Sequence, residues 1–577
     1  MPHQAQLSPV TFSRISRVTK TSQNPRRKTA GLRYWMLRVL DECNKVSADF
    51  SADPVHDLRV ALRRCRSMAD GMMAMDPDRN WKAMKKAGKQ LFQRLGTLRD
   101  VQIMMEWIDK LNLAECSASG PGQEKASIEL VRGMKPAANP PDAPADPASA
   151  LLRILQARET EQKREARAAL AEFDRKQWRQ WSHSLPQRAA RIRPGSAVFK
   201  HLALERWTNA RELHTVALRN RSQVAFHTLR IGIKRFRYIV ENFLPAEHEA
   251  WSNALKHLQD LLGDVHDLDV LWATAQSHHV FADDASRKAW HERITHERTK
   301  RIDEYRQKTV GPDSLWNVWR AGLPQGKQIQ QIATRRMKLW AKVLDPDFAH
   351  SERVARLSVA LYDGLVAGGL LDRPSGVSAE QNGATGDARA SLYAAALLHD
   401  VGKVKGNKGH HKESSDLINK HATPLGWNEE DMWRAAVVAR FHCGALPTRR
   451  HKLLRDVLPP EQKTTIQLAA VLRLANALDM AHDGHIRKVK IENTGAHPTR
   501  RRSTNGLVRK PTGLGQNEPL VIGAEGYADG TPTAQTVAAE RYLLETVLRR
   551  PIIVKAVKNA SQPRAIRLGR APIASSK

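Results

Sequence analysis

Residues 29–115 space apolar and polar positions three and four apart, which predicts consecutive helices joined by short connections. In the stretch VHDLRVALRRCR (55–66), Leu58, Ala61, Leu62 and Cys65, continued by Met68, fall on one side of a helix and make a face for a core. His56, Arg59, Arg63 and Arg66 fall within an arc of about 80° on the other side. A solvated helix face ordinarily mixes acids with bases, because like charges one turn apart repel. A row of one sign leaves two readings: a solvated basic face, or a face that meets an anion supplied from outside the chain.

The pattern returns at FHTLRIGIKRFRY (226–238). His227, Arg230, Lys234 and Arg237 repeat the basic spacing, and Leu229, Ile233, Phe236 and Val240 repeat the apolar face. Downstream, LFQRLGTLRDVQIM (91–104) is matched by LQDLLGDVHDLDVL (258–271), pairing Lys89 with Lys256, Gly96 with Gly263 and Asp100 with Asp267. A duplicated unit that keeps its basic face favours the anion.

Pro, Ala, Gly and Asp dominate residues 117–150, which read as a linker between repeat one (29–116) and repeat two (151–310). Helices resume over 151–183, where LLRILQARETEQKREARAALAEF (151–173) is charged and reads as a long helix. Residues 311–325 read as a junction, and a second helical region follows over 326–560, interrupted by a loop at 372–388. VKIEN (489–493) and PLVIGAEGY (519–527) have the composition of strands, TAQTVAAERYLLETVLRR (533–550) that of a helix, and PIIVKAV follows as a short apolar run. Residues 1–28 and 561–577 read as basic tails. The expected class is therefore mainly α: an N-terminal two-repeat helical bundle and a C-terminal helical domain with a small α+β extension.

Charge sharpens the picture. The 577 residues carry 93 Lys and Arg against 60 acids, a formal net charge of +33, so the expected partner is a polyanion: nucleic acid, an anionic membrane surface or polyphosphate. No basic strand is interleaved with aromatics for base stacking, so sequence-specific nucleic acid is not expected. No run of eighteen apolar residues exists, and the N-terminal segment lacks the apolar core of a secretory signal; neither a membrane span nor export is expected. Cys43, Cys65, Cys116 and Cys443 form no CxxC pair, so no disulfide framework or zinc ribbon is readable and a cytoplasmic location is expected.

The paired elements HDLRVALRRCR and HTLRIGIKRFRY, with LGTLRD and LGDVHD after them, resemble the CHAD domain over residues 29–310. That resemblance implies a helical domain that binds inorganic polyphosphate. Residue chemistry agrees. A basic row about 15 Å long reaches several phosphates of a linear polyanion. Arginine presents a planar fork of donors to each, and two facing rows focus positive potential in a channel. Phosphate contacts are expected at His56, Arg59, Arg63, Arg66 and Lys89 in the first repeat. In the second they are expected at His227, Arg230, Lys234, Arg235 and Arg237, with Lys82, Lys85 and Lys86 extending the path. Asp100 and Asp267 are expected to orient the bases by ion pairing.

A second constellation starts at FAHSERVARLS (348–358) and continues through ALLHDVGKVKGNKGHHKESSDLI, VARFHCGALP and RLANALDMAH. His399-Asp400 ends the apolar run AAALLHD, where a carboxylate is costly unless it meets a cation. Imidazole and carboxylate together suit a divalent transition metal or Mg²⁺. The series resembles an HD-type metal-dependent phosphohydrolase, and more narrowly the C-terminal HD-like domain of the exopolyphosphatase and guanosine pentaphosphate phosphohydrolase family, over 326–560. The resemblance implies metal ligands at His350, His399, Asp400 and Asp479, and positions for a second metal or substrate at His411 and His442. Asp400, Lys403, His411 and His442 are the expected catalytic groups, and Lys412, Arg440 and Arg473 the expected phosphate holders. His410 and His482 are expected only to support them. The implied cofactor is a divalent metal, Mn, Mg or another transition metal. One departure limits the transfer: no Gly-rich phosphate-binding turn of the ATPase-like catalytic domain precedes this region, so any hydrolysis falls to the HD-like site. The expected function is polyphosphate binding with hydrolysis of polyphosphate or a related phosphorylated metabolite. The alternatives are a granule-targeting protein that senses a nucleotide without turnover, and a nucleic-acid binder driven by charge.

Overall fold

The computed structural model describes residues 31–118, 146–371, 387–448, 450–492 and 518–557. The expected basic tails, most of the linker and nearly all of the 372–388 loop lie outside them. The chain is mainly helical, with one small sheet. In the first half, α1 (Leu32–Ala48), α2 (Ala52–Met73) and α3 (Arg79–Ala118) pack in sequence. Helices α6 (Ala197–Asn220), α7 (Gln223–Phe243) and α8 (Pro245–Ser277) repeat that order. Helix α2 packs on α7 and α3 on α8, so the two units face each other through equivalent helices. The apolar stripes drive this: Leu58, Leu62, Cys65 and Leu229, Ile233, Phe236 are fully buried in one core.

The helical region expected over 151–183 holds two helices, the first of them the long charged one. Helix α4 (Pro147–Ala171) folds along α3, and α5 (Arg175–Ala189) packs on α1. Asp174 caps α5 by accepting the Gln177 N–H at 2.8 Å, so its side chain starts a new helix where the charge pattern continues unbroken. Helix α9 (Asp284–Thr309) then lies on α8. The expected junction at 311–325 instead contains α10 (Leu315–Ala321), whose Trp316 and Trp319 are fully buried in the first core. Two indoles three residues apart share one helix face and drive its burial.

Helix α11 (Lys327–Leu344) bridges both cores, giving Ile332 to the first and Met337, Trp340 and Ala341 to the second. Buried Arg336, on the same helix, pairs with Glu205 at 2.6 Å, and His201 donates to the Leu425 carbonyl at 2.8 Å. The second core is built on α12 (Phe348–Ala367), α13 (Ala388–Leu398), α14 (His410–Lys420), α15 (Glu429–Arg440), the short α16 (Lys452–Arg455) and α17 (Pro459–Leu478). Strands β1 (Lys488–Glu492), β2 (Leu520–Glu525) and β3 (Ile552–Ala556) close it, β2 pairing antiparallel with β1 and parallel with β3. The run PIIVKAV is thus a strand, and the helix expected over 533–550 breaks at Arg541 into α18 (Pro532–Glu540) and α19 (Tyr542–Leu548). Among the described residues, no helix is long and apolar enough to cross a membrane.

Candidate polyanion channel and metal centre

Helices α2 and α7 bring their basic rows together. Arg59 shares its surroundings with Arg63, Arg99 and Arg230, and Lys234 lies among Arg230, Arg63 and Arg59. Asp100 from α3 interacts with Arg59, Arg230 and Lys234, and Asp267 from α8 with Arg230 and Lys234. The crowding is electrostatically costly without an anion. Burial, then Arg230 and Arg63, pull the Lys234 ammonium down to about 7. Burial, then Arg230 and His227, pull His266 down to about 4, and burial pulls His56 and His227 below their ordinary value. Burial pushes the Asp267 carboxyl up to about 6 despite Arg230. The buried Nε donors of Arg66, Arg230 and Arg237 make no hydrogen bond, an arrangement that an incoming anion relieves.

Not every expected contact shares this place. Arg66 lies over the same Phe92 ring as Arg59, at 4.7 and 5.4 Å, and Arg63 over Tyr238, so these stay beside the rows. Arg237 is 3.7 Å from Glu241. Arg235 is exposed and lines a separate cavity of about 290 Å³ with Lys85, Asp70, Arg206 and Tyr238. Lys89 is exposed on α3, and Lys85 is paired with Asp70.

In the second half the chemistry collects at helix ends. His350 lies in the first turn of α12; His399 and Asp400 follow α13; His410 and His411 open α14; His442 and Cys443 follow α15; Asp479 follows α17. Apolar sequence carries each helix through the core and polar groups meet where it stops. Three imidazoles are oriented alike. His399, His410 and His442 each place Nδ1 2.7–2.8 Å from the carbonyl three residues earlier: Ala396, Asn407 and Ala439. A carbonyl only accepts, so each Nδ1 carries the proton, and in the neutral ring each Nε2 presents a lone pair.

Those Nε2 atoms converge on Asp400. Its Oδ2 is 3.3 Å from His399 Nε2 and 3.9 Å from His350 Nε2; its Oδ1 is 3.2 Å from His410 Nε2 and 3.8 Å from His442 Nε2. Lys403 donates to Oδ2 at 2.5 Å. Burial pushes the Asp400 carboxyl up, but His399, His410 and His442 outweigh it and hold the group well below the usual carboxylate range. His410 is driven up to about 10 by its contacts with Asp400 and Cys443, while burial and His399 push buried His442 down. His399 Nε2 and Asp400 Oδ1 are buried without a well-aligned hydrogen-bond partner. Orphaned imidazole and carboxylate atoms in one buried cluster suit a divalent cation, and His350, His399 and Asp400 bring three ligand atoms within 4.8 Å of one another. His410, His442 and Cys443 do the same.

Three expectations change. Asp479 does not turn into this cluster: Arg353 Nε donates to both its oxygens at 3.0 and 2.9 Å, and His350 Nδ1 is 2.8 Å away. Arg353 sits one helical turn beyond His350, so both reach the same carboxylate. Arg473 does not present its guanidinium to a ligand either. It is buried, paired with Glu540, and donates to the carbonyls of Phe441 at 3.2 Å and Gly444 at 2.7 Å. His410 rather than His411 faces Asp400; His411 Nδ1 lies 3.6 Å from Cys443 Sγ, and burial and Arg440 push it down to about 4. Lys412 is exposed, and Arg440 lies over Phe441 with its Nη1 buried and unbonded. The sequence signals for what was missed were the doublet His410-His411 and the thiol beside His442.

Comparison with protein families follows the same division. The CHAD domain family matches residues 36–276, and the Ppx/GppA phosphatase domain III family matches residues 331–521. The chain is a CHAD domain joined to a Ppx/GppA phosphatase domain III. No curated protein matches it. The CHAD match contains both basic rows and both channel aspartates; the domain III match contains every group from His350 to Asp479 and ends inside β2.

Proposed function

We propose that the protein captures inorganic polyphosphate in the CHAD channel and hydrolyses it, or a related phosphorylated metabolite, at the cluster around Asp400. The observation that carries the reading is the convergence of His399, His410 and His442 Nε2 on one buried carboxylate with orphaned ligand atoms. His350, His399 and Asp400 would hold a divalent cation, Mn, Mg or another transition metal, which when bound supplies Lewis acidity and lowers the pKa of its water. Around it, Lys403 donates to Asp400 Oδ2, and His411, held neutral near pH 7, accepts a proton from water. Arg440, whose Nη1 is unbonded, is a phosphoryl-oxygen donor. The channel raises the local concentration of polymer near this site. We assign the protein to the cytoplasm, associated with polyphosphate granules.

A second reading, a granule-bound sensor that holds a nucleotide without turnover, draws on the engagement of Asp479 by Arg353, which takes one acid out of the cluster. Phosphate release from long-chain polyphosphate with added Mn²⁺ or Mg²⁺, beside Asp400→Ala, separates them. Release lost in the variant supports hydrolysis at domain III; polymer retained without release supports the sensor.

A further inference from the structure

We propose that Cys443 is a metal ligand, and that His410, His442 and Cys443 form a soft, zinc-preferring site beside the harder site of His350, His399 and Asp400. The inference rests on the reading of domain III as a metal centre and deepens it.

The geometry is close to that of a three-ligand zinc site. Zinc sits about 2.0–2.1 Å from imidazole nitrogen and about 2.3 Å from thiolate sulfur, so tetrahedral ligands stand about 3.3 Å apart for N and N and about 3.6 Å for N and S. His410 Nε2 and His442 Nε2 are 3.1 Å apart, and Cys443 Sγ is 3.9 Å from His410 Nε2. Both rings are locked with the proton on Nδ1 by the Asn407 and Ala439 carbonyls. Their Nε2 atoms therefore face each other, with His410 Nε2 also 3.2 Å from Asp400 Oδ1, and a cation between the two rings takes the place of the proton His410 holds there.

The turn that carries the thiol is also fixed. Gly444, directly after Cys443, has φ of +72°, a conformation glycine adopts without strain. Arg473 grips the carbonyls on both sides of His442-Cys443, those of Phe441 and Gly444, and is anchored by Glu540. This buried arginine presets the pair in place before any ligand arrives. His411 Nδ1 lies 3.6 Å from Sγ on its other side. Thiolate in a donor set selects zinc and other soft ions over Mg²⁺ and Mn²⁺, whereas His350, His399 and Asp400 lack sulfur. On binding, the thiol proton of Cys443 and the Nε2 proton of His410 pass to solvent, and sulfur and nitrogen donate to the ion.

The test is cobalt titration of the full-length protein. Cobalt held by thiolate gives a near-ultraviolet sulfur-to-cobalt charge-transfer band, whereas cobalt held by nitrogen and oxygen does not. The wild type is expected to show the band and Cys443→Ser to lose it. Zinc affinity is expected to fall by about 10- to 100-fold or more in the variant, with manganese affinity unchanged. Cobalt bound by the wild type without that band overturns the thiolate ligand while leaving the metal centre standing. A wild type that takes up no cobalt overturns both.

Discussion

Lys234 makes binding in the channel pH-dependent in a direction set by its neighbours. Burial, then Arg230 and Arg63, hold its ammonium at about 7 in the free protein, where an unperturbed lysine titrates near about 10.4. It is about half charged at pH 7 and about nine-tenths neutral at pH 8. A polyphosphate chain brings one negative charge per phosphate beside it and restores the ordinary value. The bound state then holds more protons than the free state. Binding takes up about half a proton at pH 7 and about 0.9 at pH 8, and affinity falls by up to about tenfold per pH unit above 7. The facing groups define the window. Arginine side chains keep their charge over this range, while His266 at about 4 and Asp267 at about 6, with His56 and His227 pushed below their ordinary value, add uptake at lower pH. Burial raises Asp100 as well, against Arg59 and Arg230. Between about pH 7.5 and 9 the signal belongs to Lys234. Calorimetry with long-chain polyphosphate, in pairs of buffers of different ionisation enthalpy, reads the uptake directly. Lys234→Arg keeps the charge and is expected to bind with a flat profile over that range. An affinity for the wild type that is flat from pH 7.5 to 9, with no proton uptake, would refute the reasoning.

Replacing Arg59 and Arg230 together by Ala removes two facing cations; the slope of log affinity against log salt is expected to shrink by about 1.4–1.8, read by titration at several salt concentrations with circular dichroism unchanged. Gly402→Ala places a methyl against the His410 carbonyl and the Ser414 amide, both backbone, so it is expected to cost about 3 kcal/mol or more in urea unfolding. Arg473→Ala leaves Glu540 and the carbonyls of Phe441 and Gly444 without their buried partner; a loss of about 2–4 kcal/mol is expected in the same assay. A raised KM with unchanged stability would instead return Arg473 to phosphate binding.

The helical class and the duplicated basic face were legible because both rest on periodicity, which survives in any compact fold. Leu58 and Leu229 are buried, and Arg59 and Arg230 meet across the interface, because a 3.6-residue repeat determines both at once. What periodicity did not carry was local competition. The long charged helix ends where it does because Asp174 caps a new helix, an effect of one side chain that no period announces. At the cluster, the residue types of the HD-like series marked the right region, since each apolar helix ends in polar groups. Which atoms converge depended on partners distant in sequence. Arg353 takes Asp479, Glu540 takes Arg473, and the helix start at His410 turns that ring rather than His411 toward Asp400. PIIVKAV, too short to be classified by period, became a strand because β2 offered it a parallel edge.

The central claim is that one polymer is held by the CHAD channel and cut at domain III. Phosphate release from long-chain polyphosphate, measured side by side for the wild type, Asp400→Ala and the double variant Arg59→Ala with Arg230→Ala, tests it most directly. The account predicts release by the wild type, none by Asp400→Ala although polymer is still retained, and release by the double variant that is lost at low polymer concentration and recovered at high concentration. Equal release by the wild type and Asp400→Ala, or release by the double variant indistinguishable from the wild type at every concentration, would contradict it.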